Sequence, residues 1–401
     1  MPPFLNLQCS TRPTRGLWQR PASSPIERSR KITSPPRLPR LAAASVVKPR
    51  LRSSSSSLRA VPLSAASGPA DAEAIRLVAS DVDGTLLCPQ QTLLPRVAAA
   101  VRACEREASV PLLLATGKAP GAPWLDRLLS PSSPGGGGLG AGPRPGVFMQ
   151  GLFVADASGR VLFSRALDAS VVEAVGELVE ANAGRLTLVA YCTPSSSAAS
   201  PAASSPVPVR SRVLSSGPAG DERAGRLVFY GEPLPEPVPP LPGAASGATA
   251  LSAEARRRGL SVHKLIVMFD AEGEGNEGLD EQLRASIVAL LGGDDLTVSL
   301  TSALPGMTEV LPPGASKADG VLRYLGEIDL APDAVLAVGD AENDVEMLLL
   351  AGIGAAVANA GATAMRAADV VVPSNAEGGV ADAIEKFVLA PRGLRVSIES
   401  L

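Results

Sequence analysis

Asp81 and Asp83 stand two residues apart at the end of an apolar run, "IRLVAS", and are followed at once by Gly84 and Thr85. Side chains alternate along an extended segment, so both carboxylates point to one side, and Gly84 permits a sharp turn directly after them. A pair placed this way could ligate calcium, lie idle in a solvated turn, or be delivered by a strand to a reaction site. The calcium loop of an EF-hand needs an acid or Asn at its fifth position and Gly at its sixth; those places hold Thr85 and Leu86. A solvated turn does not need an aliphatic strand to launch it.

The elements that must position the pair follow one design. "IRLVASD" ends at Asp81, "VPLLLAT" at Thr116 and "AVLAVGD" at Asp340. Near-continuous aliphatic runs fit strands buried on both faces of a parallel sheet. Ligands of such sheets bind outside the carboxyl ends of the strands, so these three residues should converge at one edge. Helical patterns alternate with the runs, as in "PRVAAAVRACEREA" and "SKADGVLRYLGEI", which predicts an α/β fold with helices on both faces. The core is expected over 71–130 and 305–395. Residues 146–304 read as a second α/β domain inserted into it, opening with a hairpin, "VFMQGLFVADASGRVLFSRAL", and interrupted near 193–224 by a Ser/Pro/Ala-rich insert whose composition predicts disorder.

The chain of 401 residues has a formal net charge of −3, with 45% apolar and 3% aromatic residues. A sizeable but aliphatic, alanine-rich core is therefore affordable. Residues 1–70 hold about a dozen Arg and Lys and a single acid, Glu27. An Arg- and Ser-rich, acid-poor segment of this kind reads as an organelle transit peptide, disordered, with chloroplast ahead of mitochondrion. The remainder is acidic, which argues against a nucleic-acid partner. No run approaches the ~18 apolar residues of a membrane span. The cysteines, Cys9, Cys88, Cys104 and Cys192, form no CxxC, which suits a reduced compartment. His263 is the sole histidine; this removes Ser-His-Asp triads and His-rich zinc sites, and its place in a strand pattern reads as structural.

With these residues on the page, the chain resembles the haloacid dehalogenase superfamily of phosphohydrolases. "DVDGT" is similar to the first motif, Thr116-Gly117-Lys118 to the second, Lys317 in "PPGASKADGV" to the third, and "GDAENDVEML" to the fourth. The long insertion between the second and third matches the Cof-type subgroup, with its large α/β cap. The resemblance implies a Rossmann-like doubly wound parallel sheet core with an inserted α/β cap domain. It implies a phosphatase that removes phosphate from a small phosphorylated metabolite through an aspartyl-phosphate. Asp81 is then the nucleophile. Asp83 protonates the leaving alkoxide and afterwards activates water. Lys317 adds positive charge beside the phosphate. Thr116 and Gly117 hold its oxygens, and Asn343 orients the phosphate or Lys317. A carboxylate approaching a phosphate at ~4 Å is opposed by ~4 kcal/mol per unit-charge pair at an effective dielectric of ~20. Mg²⁺ suits the task of offsetting this, with Asp81, the backbone carbonyl of Asp83 and Asp340 as implied ligands and Asp344 in support.

Two rivals stand beside this reading: a phosphomutase on the same fold, and a catalytically silent binding module, whose mark would be loss of Asp81, Asp83 or Asp340. Two departures from the family pattern bear on specificity. Lys118 stands where Arg is common, and Gln150-Gly151-Leu152 stands where Asn-Gly-Ala is common.

Overall fold

The computed structural model describes residues 75–130, 138–140, 144–195, 209–271, 278–292, 298–301 and 305–396. The expected transit segment 1–70 lies outside these residues, as do residues 196–208 of the Ser/Pro-rich insert.

The chain opens with β1 (Leu77–Ser80), α1 (Pro95–Arg106), β2 (Leu112–Ala115) and α2 (Pro123–Leu129), then three short strands, β3 (Gly146–Phe148), β4 (Phe153–Ala155) and β5 (Val161–Ser164). A middle block follows: α3 (Ala169–Glu180), β6 (Thr187–Pro194), β7 (Arg212–Ser215), α4 (Glu222–Phe229), β8 (Glu236–Pro237), α5 (Leu251–Arg257), β9 (Leu260–Met268), α6 (Leu279–Leu290), β10 (Ser299–Thr301) and β11 (Met307–Leu311). The last part is α7 (Lys317–Glu327), β12 (Val335–Gly339), α8 (Val345–Leu350), β13 (Ile353–Val357), α9 (Ala362–Ala367), β14 (Val370–Val372) and α10 (Gly379–Ile384).

The core sheet runs β14-β13-β12-β1-β2-β3-β4-β5. It is parallel from β14 to β3 and antiparallel over β4 and β5. Every residue of β1, β2 and β12 is buried, which is why these strands are written as unbroken aliphatic runs and not as alternations. Strand order reverses between β1 and β12, which pair with Leu77 opposite Val335. A switch point of this kind opens a crevice at the carboxyl ends of the strands. Asp81 and Asp340 are the residues that follow these two strands.

The middle block forms its own sheet, β10-β11-β9-β6-β7-β8. Alternation along it separates two faces. Val189 and Tyr191, Ile266 and Met268, and Met307 and Leu311 join the core's apolar cluster, whereas Leu188, Ala190, Leu265, Val267 and Val310 pack with α3, α5 and α6 residues.

Two expected boundaries are corrected. Residues 146–164 were expected in the cap, but β3 pairs with β2, and the hairpin β4–β5 extends the core sheet. Residues 307–311 were expected in the core, but β11 pairs with β9 of the cap. A hairpin can extend either sheet, and only pairing decides which. The insert expected to be disordered near 193–224 includes β7 and the start of α4, where Asp221 caps the helix by accepting the Arg223 N–H.

His263 is fully buried: its Nδ1 bonds the Arg165 carbonyl at 2.7 Å and its Nε2 the Thr193 hydroxyl at 2.7 Å. The first bond ties the link between β5 and α3 to the cap sheet, so the residue is structural. Burial pushes the thiols of Cys104 and Cys192 up to about 12, which keeps them inert. Among the described residues no helix is long and apolar enough to cross a membrane.

One close approach sets the position of α7. Gly151 has φ +90, and a Cβ there would collide with the Ser316 carbonyl; a Cβ on Gly320 would lie 2.8 Å from the Gly151 Cα and collide with Val147. Helix and turn can touch only because both lack side chains. Gly320→Ala should therefore lower stability by about 1–3 kcal/mol through overpacking, as read by denaturant unfolding. An unchanged midpoint would mean that α7 can retreat freely.

Candidate active site

The crevice at the switch point is built from four segments. β1 ends in Asp81, and the turn over 82–86 carries Asp83 extended and Gly84 left-handed (φ 80, ψ −9). A Cβ on Gly84 would strike the Asp340 carboxylate, so glycine both turns the chain and admits its neighbour. β2 ends in Thr116, β12 in Asp340. Lys317 is the first residue of α7, whose start is capped by the Ser316 hydroxyl accepting the Asp319 N–H at 3.2 Å.

Lys317 is the hub. Its Nζ donates to Asp81 Oδ1 at 2.6 Å and to Asp344 Oδ1 at 2.7 Å. The other oxygen of Asp344 accepts the N–H groups of Asp340 and Ala341, each at 3.0 Å. Asp344 is therefore fully engaged, and it braces both Lys317 and the backbone after β12. The Thr85 hydroxyl donates to Asp340 Oδ1 at 2.9 Å. Ligating atoms of Asp81, Asp340 and Asp344 all lie within 4.8 Å of one another.

The charges of this cluster do not balance. Three carboxylates face one ammonium. Burial pushes the Asp81 carboxyl well above the usual range; Lys317 pulls it down, and Asp344, Asp340 and Asp83 push it up again. Burial, then Asp344, also raises Asp340. Burial alone would lower the Lys317 pKa, but Asp344 and Asp81 outweigh it and raise it. A buried set of this composition has room, electrostatically, for one more cation, and its all-oxygen donors suit a hard divalent ion.

The remaining expected residues are brought to the same crevice. The Thr116 hydroxyl accepts the Lys118 N–H at 3.1 Å, and the Gly117 carbonyl accepts from Lys264 Nζ at 2.8 Å. Asn343 reaches neither Lys317 nor Asp81: its Nδ2 donates to Gln150 Oε1 at 3.2 Å.

Several crevice residues were not singled out as site residues from sequence. Lys118 Nζ lies 2.7 Å from Asp83 Oδ1 and donates to the Tyr230 carbonyl at 2.6 Å. Lys264 on β9 and Glu309 on β11 form a buried ion pair at 2.6 Å. They face the core because they share strand parity with Ile266 and Met307. Period-2 alternation could have flagged both, since each interrupts an apolar face with a charge. Gln150 donates from Nε2 to Glu309 Oε2 at 3.0 Å. It does so from a strained backbone: Met149 and Gln150 have φ 50 and φ 60. Asn enters this region more readily than Gln, and such strain persists only where the surroundings enforce it. Here the Met149 and Gln150 N–H groups donate to the carbonyls of Lys118 and Thr116 at 3.0 and 3.2 Å. A Cβ on Gly117 would lie 2.8 Å from Gln150 Nε2. The crevice holds about 240 Å³.

Residues 249–384 match the model of a family described as haloacid dehalogenase-like hydrolase. A chloroplastic protein of Arabidopsis thaliana named endoribonuclease YBEY is 30% identical over 308 residues, 77% of this chain and 45% of its own length. A phosphoglycolate phosphatase of Methanoculleus marisnigri is 43% identical over 75 residues, 19% of this chain and 32% of its own. The chain thus spans less than half the length of these curated relatives. Among solved structures, a phosphatase of the haloalkanoate (HAD) superfamily from Bacteroides thetaiotaomicron superposes with a TM-score of 0.57 at 21% identity, covering 81% of this chain and 99% of that one. At that identity the likeness speaks for the fold.

Glu232, in the cap loop after α4, leans on the core: its Oε1 accepts the Ala119 N–H at 3.2 Å. Burial pushes its carboxyl up to about 7, against the pull of Lys264 and Lys118. A carboxyl raised on folding favours the folded state while protonated, and this is lost as pH rises from about 4.5 through about 7. Between about pH 5 and about pH 8 the wild type should therefore lose on the order of 3 kcal/mol that Glu232→Gln, which cannot ionise, retains. Parallel denaturant curves at the two pH values check this; equal losses in both proteins would count against the buried ionisation.

Proposed function

We propose that the chain is a haloacid dehalogenase-like hydrolase of the Cof type and a phosphohydrolase acting on a small phosphorylated metabolite. The observation that carries this reading is the Lys317 ammonium locked between Asp81 and Asp344 at the floor of a capped crevice, with Thr116 and Gly117 lining the same wall. This is a place for a phosphoryl group, with a positive charge already fixed and a carboxylate beside it.

The placement of these residues supports the following roles. Asp81 attacks phosphorus through a carboxylate oxygen, and the ester P–O bond breaks. Lys317 keeps Asp81 directed and offsets charge on the phosphoryl oxygens. Thr116 and the Gly117 backbone hold those oxygens. Asp83, across from Asp81, gives a proton to the leaving oxygen and later takes one from the water that hydrolyses the aspartyl-phosphate. Lys118 pins the Asp83 side chain from the cap side. Asn343 acts through Gln150, which keeps the turn after β3 against the crevice. A divalent cation, Mg²⁺ by the chemistry of the donors, would be held by Asp81, Asp340 and the Asp83 carbonyl and would supply the charge neutralisation that lets two anions meet. Asp344 supports that set from behind.

The basic, acid-poor segment 1–70 and the chloroplastic name of the Arabidopsis relative together support a plastid location. The endoribonuclease name is not carried over, because the match spans less than half of that protein.

Asp81→Asn should reduce phosphate release from small esters to background while the protein remains folded. Retained turnover would remove Asp81 from the nucleophile role. Mg²⁺ at about 100 times its Kd should stabilise the protein by about 2.7 kcal/mol, seen as a rise in Tm that EDTA reverses and Asp340→Asn abolishes. A Tm indifferent to both would exclude the carboxylate cluster as a metal site.

A further inference from the structure

The phosphoryl group would sit on the core wall, so the leaving group must meet the cap wall. There the charges are already matched, with one exception. Lys118 has Asp83 and the Tyr230 carbonyl; Lys264 has Glu309 and the Gly117 carbonyl. Each ammonium already serves one carboxylate and one backbone carbonyl. Glu232 is the exception: it is 4% exposed, Oε1 takes one backbone N–H, and Oε2 is buried with no partner. Three other side chains lining the crevice carry a buried oxygen without a hydrogen-bond partner: Asp83 at Oδ1, which has the Lys118 ion pair, and Gln91 at Oε1 and Asn343 at Oδ1, which have none. Glu232, Gln91 and Asn343 thus present the same deficit. Each of these oxygens is an acceptor that needs a donor, and a buried acceptor left unmet costs about 1–3 kcal/mol. Between them lie the apolar side chains of Leu227, Ile266 and Met307.

We propose that the leaving group of the substrate carries hydroxyl or amino donors and no negative charge, and that Glu232 is the residue that selects it. A carboxylate or second phosphate on the leaving group would face the Glu232 carboxylate, while Lys118 and Lys264 already serve Asp83 and Glu309. A hydroxyl or ammonium supplies the missing donor. The inference rests on the phosphohydrolase reading and narrows it.

Two matched pairs of esters test it: glycerol 3-phosphate against 3-phosphoglycerate, and phosphoethanolamine against 2-phosphoglycolate. In each pair a donor group is exchanged for a carboxylate on a similar frame. Phosphate release by the full chain with Mg²⁺, at about pH 8, gives kcat/KM for each. The donor-bearing ester should be preferred about tenfold or more in each pair. Glu232→Gln should shrink that ratio about tenfold, chiefly through KM. Equal or reversed preference in the wild type overturns the inference and leaves the phosphohydrolase reading standing. A preference that Glu232→Gln leaves intact overturns the assignment to Glu232. Release from none of the four overturns the phosphohydrolase reading and the inference with it. The wild-type ratios need no variant, so a misfolded Glu232→Gln does not blunt the test.

Discussion

A buried ammonium must be paired, and the pairing of Lys317 organises the molecule. Lys317 and Asp81 are 236 residues apart in sequence and 2.6 Å apart in space. Taking either charge out of water alone would cost several kcal/mol. The pair is possible only where β1 and β12 lie side by side and α7 starts directly over their ends. Asp344 completes the arrangement by gripping both Lys317 and the backbone after β12. The glycine contact between Gly151 and Gly320 allows α7 to come that close.

The same constraint links the cap to the chemistry. The link that returns from β11 runs straight into Lys317, so a shift of the cap strains the start of α7. The two lysines at the seam cross over: Lys118 of the core reaches the cap at Tyr230, and Lys264 of the cap reaches the core at Gly117. Gln150 adds a third tie, from Asn343 to Glu309. Cap position is thereby coupled to Asp83, Gly117 and Asn343. Closure of a cap can exclude water and assemble a site; here the contacts between the two sheets are hydrogen bonds to the crevice's own loops.

The surplus of carboxylates gives the crevice two different halves. On the core wall, Asp81, Asp340 and Asp344 outnumber Lys317 and leave room for a cation. On the cap wall, lysines and acids cancel except at Glu232. On the proposed reading, phosphate binding and leaving-group selection are separate electrostatic problems, given to different elements.

What the chain carries locally was legible from its residues alone. The runs ending at Asp81, Thr116 and Asp340 are unbroken because both faces of their strands are covered, and that burial is written into each residue. Gly84 and Ser316 likewise declare a turn and a helix start through their own chemistry. The boundaries of the cap were not legible. The hairpin β4–β5 alternates in the same way whichever sheet it extends, and β11 reads as a strand in either domain; pairing partners are chosen by tertiary packing. The partners of Lys118, Gln150, Glu232, Lys264 and Glu309 were also beyond reach. Each contact joins segments tens to hundreds of residues apart, and which charge meets which depends on how the cap is seated. The placing of Asp81 and Asp340 at strand ends was thus a property of the sequence, whereas the shape and charge of the space above them were decided only when two sheets closed on one another.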